Sequence, residues 1–199
     1  MNEIAAKWDA RYAAAPVVEP RPAWILEHHA HLLPPHGTAL DLACGLGGNA
    51  LWLARRGFGV AAWDLSAVAI ERVDAEARRA GVTIAATVRD AKSLASELEA
   101  FDVIVVAHFL DRSVIPAVRA ALRPGGLLFY QTFTTERRPA APGPTNLDFL
   151  LRPNELLGLF ADWRILVYRE EGRVGALDLG LRDVACLVVR KPGGDESQS

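Results

Sequence analysis

The sequence has few cysteines, little net charge and no long apolar run, and each feature argues against a class of protein. Its two cysteines, Cys44 and Cys186, are far apart and lie in apolar segments, which favours reduced, buried thiols. There is no Cys-x-x-Cys pair and no other metal-ligand spacing. No apolar stretch approaches the ~20 residues of a membrane-spanning helix. We therefore expect neither a disulfide scaffold nor a membrane protein.

The charge pattern argues against a nucleic-acid partner. The net charge is −2, and no basic stripe is present. Three Arg-Arg pairs lie in separate segments, as solvated surface residues would, at positions 55–56, 78–79 and 137–138. The N-terminus lacks the basic start and apolar stretch of a signal peptide, so we expect a cytoplasmic protein without a membrane partner.

The 199 residues suit one domain, with 51% hydrophobic and 23% charged residues. We expect it to span residues 1–191, followed by a polar, disordered tail over 192–199. Apolar strand segments alternate with amphipathic helical segments five times, and a strand pair follows. This order predicts an α/β fold, a Rossmann-like, doubly wound, seven-stranded, mostly parallel sheet with one antiparallel strand and helices on both faces. The predicted strands cover 37–43, 58–64, 82–88, 101–107, 127–133, 163–168 and 184–190. The predicted helices cover 3–13, 22–33, 47–56, 66–80, 94–99 and 111–122, and a further helix begins at Arg152-Pro153, with Pro153 in its first turn.

A glycine-bearing turn joins the first strand to the next helix. Gly45 and Gly47 let the backbone approach a ligand closely, and the helix N-terminus favours an anion. One acid, Asp41, comes before the glycines, and a second, Asp64, ends the next strand. A nicotinamide-binding turn instead opens with its glycines and has a third one, where this chain has Ala50.

The order of acid, Gly-x-Gly and second acid resembles the class I S-adenosylmethionine (SAM)-dependent methyltransferases, although Ala43 stands where many members have glycine. The run Leu122-Arg123-Pro124-Gly125-Gly126-Leu127-Leu128 is similar to the Leu-x-Pro-Gly-Gly turn of the same class. The segments Trp8-Asp9-x-Arg11-Tyr12 and 151–156 resemble the thiopurine and tellurite-resistance-type small-molecule methyltransferases. These matches extend over residues 7–191 and are strongest in the cofactor half.

The resemblance implies SAM as the cofactor and S-adenosylhomocysteine as its product. It assigns the ribose hydroxyls to Asp64, the adenine amine to Asp90, and the amino-acid end to Asp41 and the glycine turn. Trp63 and Leu65 would offer apolar surface to adenine. We expect Asp64→Ala to abolish cofactor binding. We also expect it to leave the fold intact, because the substitution of an exposed aspartate changes stability little. The full cofactor-binding set is Asp41, Ala43, Cys44, Gly45, Gly47, Asp64, Leu65, Asp90, Ala91 and His108.

The acceptor side is predicted from position. We expect a small-molecule acceptor, a lid formed by the helices of residues 1–35, and a wall formed by the loop 134–151. His108 follows the fourth strand and can act as a general base or close the pocket with its backbone carbonyl. An acceptor that is already ionised needs no base. The expected acceptor-binding side chains are Trp8, Tyr12, Phe109 and Phe133.

Two features leave alternatives open. Histidines cluster at 28, 29, 31 and 36, but adjacent histidines on a helix diverge and no carboxylate or cysteine completes a ligand set, so we expect no metal. The cofactor motifs alone also fit a non-catalytic SAM-binding regulator, and the same sheet serves NAD(P)-dependent oxidoreductases, which the missing glycine disfavours. We expect a monomer or a homodimer.

Overall fold

Seven strands form one sheet in the computed structural model, which describes residues 3–139 and 141–193. The sheet order is β3-β2-β1-β4-β5-β7-β6, and β7 is antiparallel to both of its neighbours, whereas the other pairs are parallel. This confirms the predicted fold class. The strands are β1 Thr38–Leu42, β2 Gly59–Asp64, β3 Ile84–Val88, β4 Phe101–Ala107, β5 Leu122–Phe133, β6 Arg164–Glu170 and β7 Val184–Arg190.

Within residues 3–139 and 141–193, six α-helices and four 3-10 segments precede or connect these strands. The α-helices are α1 Glu3–Ala13, α2 Trp24–His28, α3 Gly48–Ala54, α4 Ala67–Ala80, α5 Ile115–Ala121 and α6 Glu155–Leu159. The 3-10 segments are Ala30–Leu32, Ala91–Ser96, Arg112–Val114 and Leu147–Phe149.

Several predicted boundaries differ from these bounds. The predicted helix over 22–33 is two short pieces that meet at His29, and the predicted helical piece at 94–99 is a 3-10 turn over Ala91–Ser96. The prediction that Pro153 lies in the first turn of a helix is wrong, because Asn154 is left-handed (φ 61°) and α6 begins at Glu155. β5 begins five residues before the predicted start, and its pairing with β4 shifts register between Phe101 and Val103.

The core lies on both faces of the sheet because the central strands are apolar throughout. Successive side chains of a strand point to opposite faces. In β1, Ala39 packs with α2, α3 and α4, whereas Leu40 packs on the side of α5 and α6; in β4, Val105 and Ile104 divide in the same way. Polar side chains on the central strands, such as Asp41 near the carboxyl end of β1, are therefore buried and need hydrogen-bond partners.

The turn after β1 contains three left-handed residues, Ala43 (φ 55°), Gly45 (φ 53°) and Gly47 (φ 77°). Left-handed backbone is unstrained in glycine and strained in alanine. The next residue, Gly48, is required for a different reason. A Cβ there would run into the backbone carbonyl of Arg21, so Gly48 lets the chain ahead of α2 lie directly on the start of α3.

Two findings concern regions outside the sheet. No helix within residues 3–139 and 141–193 is long and apolar enough to cross a membrane. Most of the predicted disordered tail, residues 194–199, lies outside the described residues.

Replacing Ala43 by glycine should stabilise the protein. The left-handed conformation costs alanine about 1–2 kcal/mol, and glycine removes this strain. Glycine also has a larger entropy in the unfolded chain, which offsets part of the gain and leaves a net stabilisation of about 0.5–1 kcal/mol. Thermal unfolding should then shift upward by about 1–4 °C. The matched control is Ala75→Gly at an exposed position inside α4, which should cost about 1 kcal/mol. A destabilised Ala43→Gly variant would contradict the prediction that the backbone is strained at Ala43.

Candidate active site

Asp41 is fully buried at the end of β1 and caps helix α3 from the sheet. The residue before α3, Gly47, has no side chain to cap it. Asp41 supplies the missing acceptor: Oδ2 accepts from the Ala50 N–H at 3.0 Å, and Oδ1 accepts from Asn49 Nδ2 at 3.0 Å. A carboxylate at a helix N-terminus also meets the positive end of the helix dipole. Asp41 thereby fixes the turn that carries Gly45 and Gly47.

Burial disfavours the ionised form of Asp41. Desolvation raises the pKa of Asp41 to about 7, against the opposing effect of its hydrogen bonds from Asn49 and Ala50, and the nearby Asp64 charge raises it further. Desolvation also raises the pKa of Asp64. Two buried carboxylates beside one turn form a site that favours a ligand with positive charge.

Asp64 ends β2 and holds the turn from the other side. Its Oδ2 accepts from the Gly45 N–H at 2.9 Å, and its Oδ1 accepts from the Ser66 N–H at 2.9 Å. The side chain is buried, so the expectation of an exposed aspartate is wrong, and removing it would leave two backbone N–H groups without their acceptor. A carboxylate has about four lone-pair sites, so each oxygen retains capacity for a further donor.

The remaining residues predicted around the turn lie beside these two acids. The Cys44 N–H donates to the Trp63 carbonyl at 2.9 Å, and burial raises the pKa of its thiol. Ala43 and Leu65 are half-buried. Trp63 is buried against Phe101, and its other face is covered by the Arg89 guanidinium at 3.8 Å, so the prediction that it offers apolar surface to a ligand is wrong.

Asp90 and Ala91 follow β3 at the same edge of the sheet. Asp90 is exposed and caps the 3-10 segment that begins at Ala91, since its Oδ1 accepts from the Lys92 N–H at 2.9 Å. The structure therefore gives Asp90 a local role as a turn residue, and its assignment to an adenine amine stays a prediction.

Helix α1 lies against α4 and reaches the glycine turn. Asp9 Oδ1 accepts from Ser66 Oγ at 2.5 Å and from the Val68 N–H at 3.2 Å. Arg72 of α4 donates to the carbonyls of Tyr12, Ala15 and Pro16 at 2.7–3.0 Å. These bonds fix both ends of the contact between α1 and α4.

Tyr12 is the residue of α1 that faces the turn. A Cβ on Gly45 would lie 2.9 Å from the Tyr12 hydroxyl. Burial and the charge of Asp64 raise the pKa of Tyr12, and its ring stacks on Trp8 with centroids 5.7 Å apart. Tyr12 thus adjoins the predicted cofactor turn, and its assignment to acceptor binding stays a prediction.

His108 lies just beyond β4 in a left-handed conformation (φ 56°), and the residue is partly exposed to solvent. Its Nε2 is 3.4 Å from Gln131 Nε2, and its ring centroid is 5.2 Å from that of Phe133. Desolvation lowers the pKa of His108. The half-buried Phe109 follows it, and the Phe109 carbonyl accepts from the Tyr130 hydroxyl at 3.1 Å. The sheet thus brings together His108, Phe109 and Phe133, as predicted from their strand ends.

Helix α2 connects the two halves of this edge; the sequence predicted it only as part of the lid over residues 1–35, and its partners Asn49 and Gln131 were given no role. The Ala23 N–H donates to Asn49 Oδ1 at 2.8 Å, and the Ile25 N–H donates to Gln131 Oε1 at 3.0 Å. Asn49 in turn binds Asp41. The only sequence signal was a polar residue within an otherwise apolar segment, at Asn49 and at Gln131.

The loop after β5 is anchored at its base. The Thr135 N–H donates to the Leu151 carbonyl at 2.8 Å, and the Leu151 N–H donates to the Phe133 carbonyl at 2.9 Å. Arg112 donates to the carbonyls of Asp148 and Leu150 at 2.7 and 3.0 Å. A cavity of about 290 Å³ lies beside this anchor, lined by Arg112, Thr135, Leu147, Asp148, Leu150 and Arg152.

The histidine cluster does not assemble a ligand set in the described part of the chain. His28 stacks on Trp24, and its Nδ1 lies 3.0 Å from the Trp24 carbonyl. Within residues 3–139 and 141–193, no group of three or more His, Cys, Asp or Glu side chains has the arrangement of a metal site.

Comparison with known proteins gives one family match. Residues 39–126 match the family model described as "Methyltransferase domain". This range holds β1 to the start of β5, and therefore Asp41, the glycine turn, Asp64 and His108.

Two curated relatives extend the similarity. Hemagglutinin 1 of Eikenella corrodens is 32% identical over 167 residues, which are 77% of this chain and 54% of that protein. The probable SAM-dependent methyltransferase TehB of Haemophilus influenzae is 30% identical over 139 residues, 66% of this chain and 47% of that protein. The chain thus spans about half the length of each of these relatives.

A solved structure covers nearly the whole chain. A protein from a study of the conversion of a disulfide bond into a thioacetal group during echinomycin biosynthesis superposes with a TM-score of 0.71 at 25% identity. The superposition covers 98% of this chain and 95% of that one. The similarity therefore includes α1, α2 and the part of the chain after residue 126, which the family model leaves out.

The buried Asp41 should make the unliganded protein less stable as the pH rises from 5 to 7. Its folded pKa of about 7 lies above the unfolded value, so the folded state binds more protons across this window, and stability falls by at most about 1.4 kcal/mol per pH unit. In Asp41→Asn this slope should flatten, leaving the smaller contribution of Asp64. Urea unfolding at several pH values measures it. Asp178→Asn, at an exposed carboxylate, is the control that should keep the wild-type slope; an unchanged slope in Asp41→Asn would refute the role of Asp41.

Proposed function

Because this chain is built on a class I SAM-dependent methyltransferase domain, we propose that it transfers the methyl group of SAM to a small-molecule acceptor. The observation that carries the proposal is the pair of acids around the glycine turn: Asp41 orients the turn from β1, and Asp64 reaches Gly45 from β2. The matches do not favour an oxidoreductase or a non-catalytic binding protein.

The residues at the turn fit SAM chemically. The left-handed Gly45 and Gly47 form a cradle that side chains would fill. The lone pairs of Asp64 that remain beside its two backbone bonds suit the hydroxyls of a ribose. SAM carries positive charge on its sulfonium and amino groups, which offsets the cost of two buried carboxylates. When bound, it supplies an electrophilic methyl group, and positioning provides most of the catalysis.

We assign the acceptor side to the elements that border His108. Trp8 and Tyr12 of α1, Phe109 after β4 and Phe133 at the end of β5 would contact the acceptor, with helices 1–35 as a lid. Methyl transfer is an in-line displacement, so the acceptor atom must approach the methyl group from the side opposite the sulfur. The loop 134–151, anchored through Arg112, would form the outer wall.

The remaining assignments concern the protein's setting. We propose one domain over residues 1–191, a cytoplasmic location, a monomer or homodimer, and no nucleic-acid partner. The net charge of −2 supports the last point, and sub-micromolar, strongly salt-dependent binding to tRNA or DNA would overturn it.

Asp64→Asn should weaken SAM binding by at least about a hundredfold. Two hydrogen bonds to a charged acceptor contribute about 1.5–3 kcal/mol each, and 1.4 kcal/mol corresponds to a factor of ten. Calorimetric titration with SAM, S-adenosylhomocysteine and NAD measures the effect. Circular dichroism checks folding, because the amide of the variant can keep only one of the two backbone bonds that the carboxylate accepts.

The control for this titration is Asp178→Asn at an exposed carboxylate outside the site, which should leave SAM binding unchanged. Wild-type protein that binds NAD and ignores SAM would exclude the proposed function. A folded Asp64→Asn variant with wild-type affinity would exclude only the role of Asp64.

Weakening the contact between α1 and α4 should make α1 more accessible to protease. Arg72→Met removes the three bonds from α4 to the carbonyls at the end of α1, so trypsin cleavage after Lys7 and Arg11 should rise about tenfold, which is the effect of losing roughly 1.4 kcal/mol. S-adenosylhomocysteine should slow cleavage in wild type. Arg78→Met, at an exposed position of the same helix, is the control. If cofactor and acceptor together leave cleavage in α1 and in the loop 134–151 unchanged, neither is a lid.

A further inference from the structure

The orientation of the Gln131 amide follows from its two neighbours. Gln131 is buried, and its Oε1 is 3.0 Å from the Ile25 N–H, which can only donate. The reverse orientation would set the Gln131 amino group against this N–H, donor against donor, with no water to separate them. The amino group therefore points to the other neighbour, His108.

The amide orientation in turn determines where His108 carries its proton. The Gln131 amino group lies 3.4 Å from His108 Nε2, so Nε2 must accept, and a neutral imidazole that accepts at Nε2 carries its proton on Nδ1. An imidazolium would place a second N–H against the amino group. Within residues 3–139 and 141–193, Gln131 is the only side-chain hydrogen-bond partner of this ring, and His108 is partly exposed beyond β4.

We propose that Gln131 is a positioning residue that holds His108 as the neutral Nδ1–H tautomer, so that His108 meets the acceptor as a hydrogen-bond donor and not as a base. The tautomer rests on geometry alone, whereas its consequence for the acceptor rests on the proposed function. In this tautomer the only lone pair of the ring is on Nε2, and it accepts from the Gln131 amino group. His108 therefore has no free lone pair with which to take a proton from the acceptor. The acceptor must then reach the site already deprotonated.

This places the acceptor among nucleophiles that are already anionic when they reach the site. The bond that forms joins the nucleophilic atom of the acceptor to the methyl carbon, and the bond that breaks joins this carbon to the SAM sulfonium. The electron pair of the broken bond stays on the sulfur of S-adenosylhomocysteine. No proton moves in this step, which agrees with a histidine that serves only as a donor.

Nitrogen-detected spectra of the imidazole rings test the tautomer without any acceptor. In wild-type protein labelled with ¹⁵N, His108 should show a protonated Nδ1 and an unprotonated Nε2, assigned by the loss of its signals in His108→Gln. In Gln131→Glu, one carboxylate oxygen can keep the bond from Ile25, and the other can accept only from a protonated Nε2, so the ring should switch to Nε2–H or to imidazolium.

The matched control is Thr132→Val, one residue along β5. The buried Thr132 hydroxyl has no hydrogen-bond partner in the described part of the chain, so its loss should leave the His108 spectrum unchanged. A wild-type His108 with its proton on Nε2 overturns the proposal. So does a folded Gln131→Glu variant, with wild-type affinity for S-adenosylhomocysteine, whose His108 keeps the wild-type tautomer.

Kinetics test the consequence for the acceptor. Across a series of phenols and thiols, the wild-type rate should follow the fraction of each acceptor that is ionised. Gln131→Glu should lower the ratio of kcat/KM for an acceptor of low pKa to that for an acceptor of high pKa by about tenfold, which is the effect of one hydrogen bond. An unchanged ratio overturns the donor role. If no phenol or thiol is methylated while SAM binds, the anionic acceptor class is wrong, whereas failure of SAM binding itself would refute the proposed function; the spectra decide the tautomer in either case.

Discussion

A buried carboxylate that caps a helix from inside the sheet is the interaction on which the site depends. The turn after β1 needs glycine for its backbone, and the residue that precedes α3, Gly47, therefore has no side chain to cap the helix. Asp41 supplies the acceptor from β1, at a cost reflected in its raised pKa. The same group thus orients the glycine turn and gives the site its negative character.

The first turn of α2 is likewise capped by a side chain of the sheet, and it connects the two halves of the site. Its cap residue, Ala23, offers no side-chain acceptor, and Gln131 of β5 accepts from Ile25 instead. On the cofactor side, Asn49 accepts from Ala23 and donates to Asp41. The short helix α2 is therefore hydrogen-bonded on one side to Asn49, which binds Asp41, and on the other side to Gln131, which orients His108. A shift of α2 would change both contacts.

The sequence predicts most of the fold because the signals there are local. Continuous apolar strands, the cap at Ser66 and the left-handed Gly81 set the limits of β1, β4 and α4 to within a residue or two. The site is less local. The buried Asp64 accepts from the Gly45 N–H, 19 residues away, and Gln131 accepts from the Ile25 N–H, 106 residues away. No local pattern predicts such pairs, because only the sheet order brings them together.

Methyl transfer itself is tested most directly by measuring S-adenosylhomocysteine. The protein would be incubated with SAM and a panel of thiols, phenols and amines, and the product would be quantified by mass spectrometry. The account predicts S-adenosylhomocysteine in proportion to enzyme and time with at least one acceptor, and most rapidly with an acceptor that is already ionised. A protein that binds SAM yet forms no more product with any acceptor than without one would contradict it, and would favour a binding protein that uses the same fold.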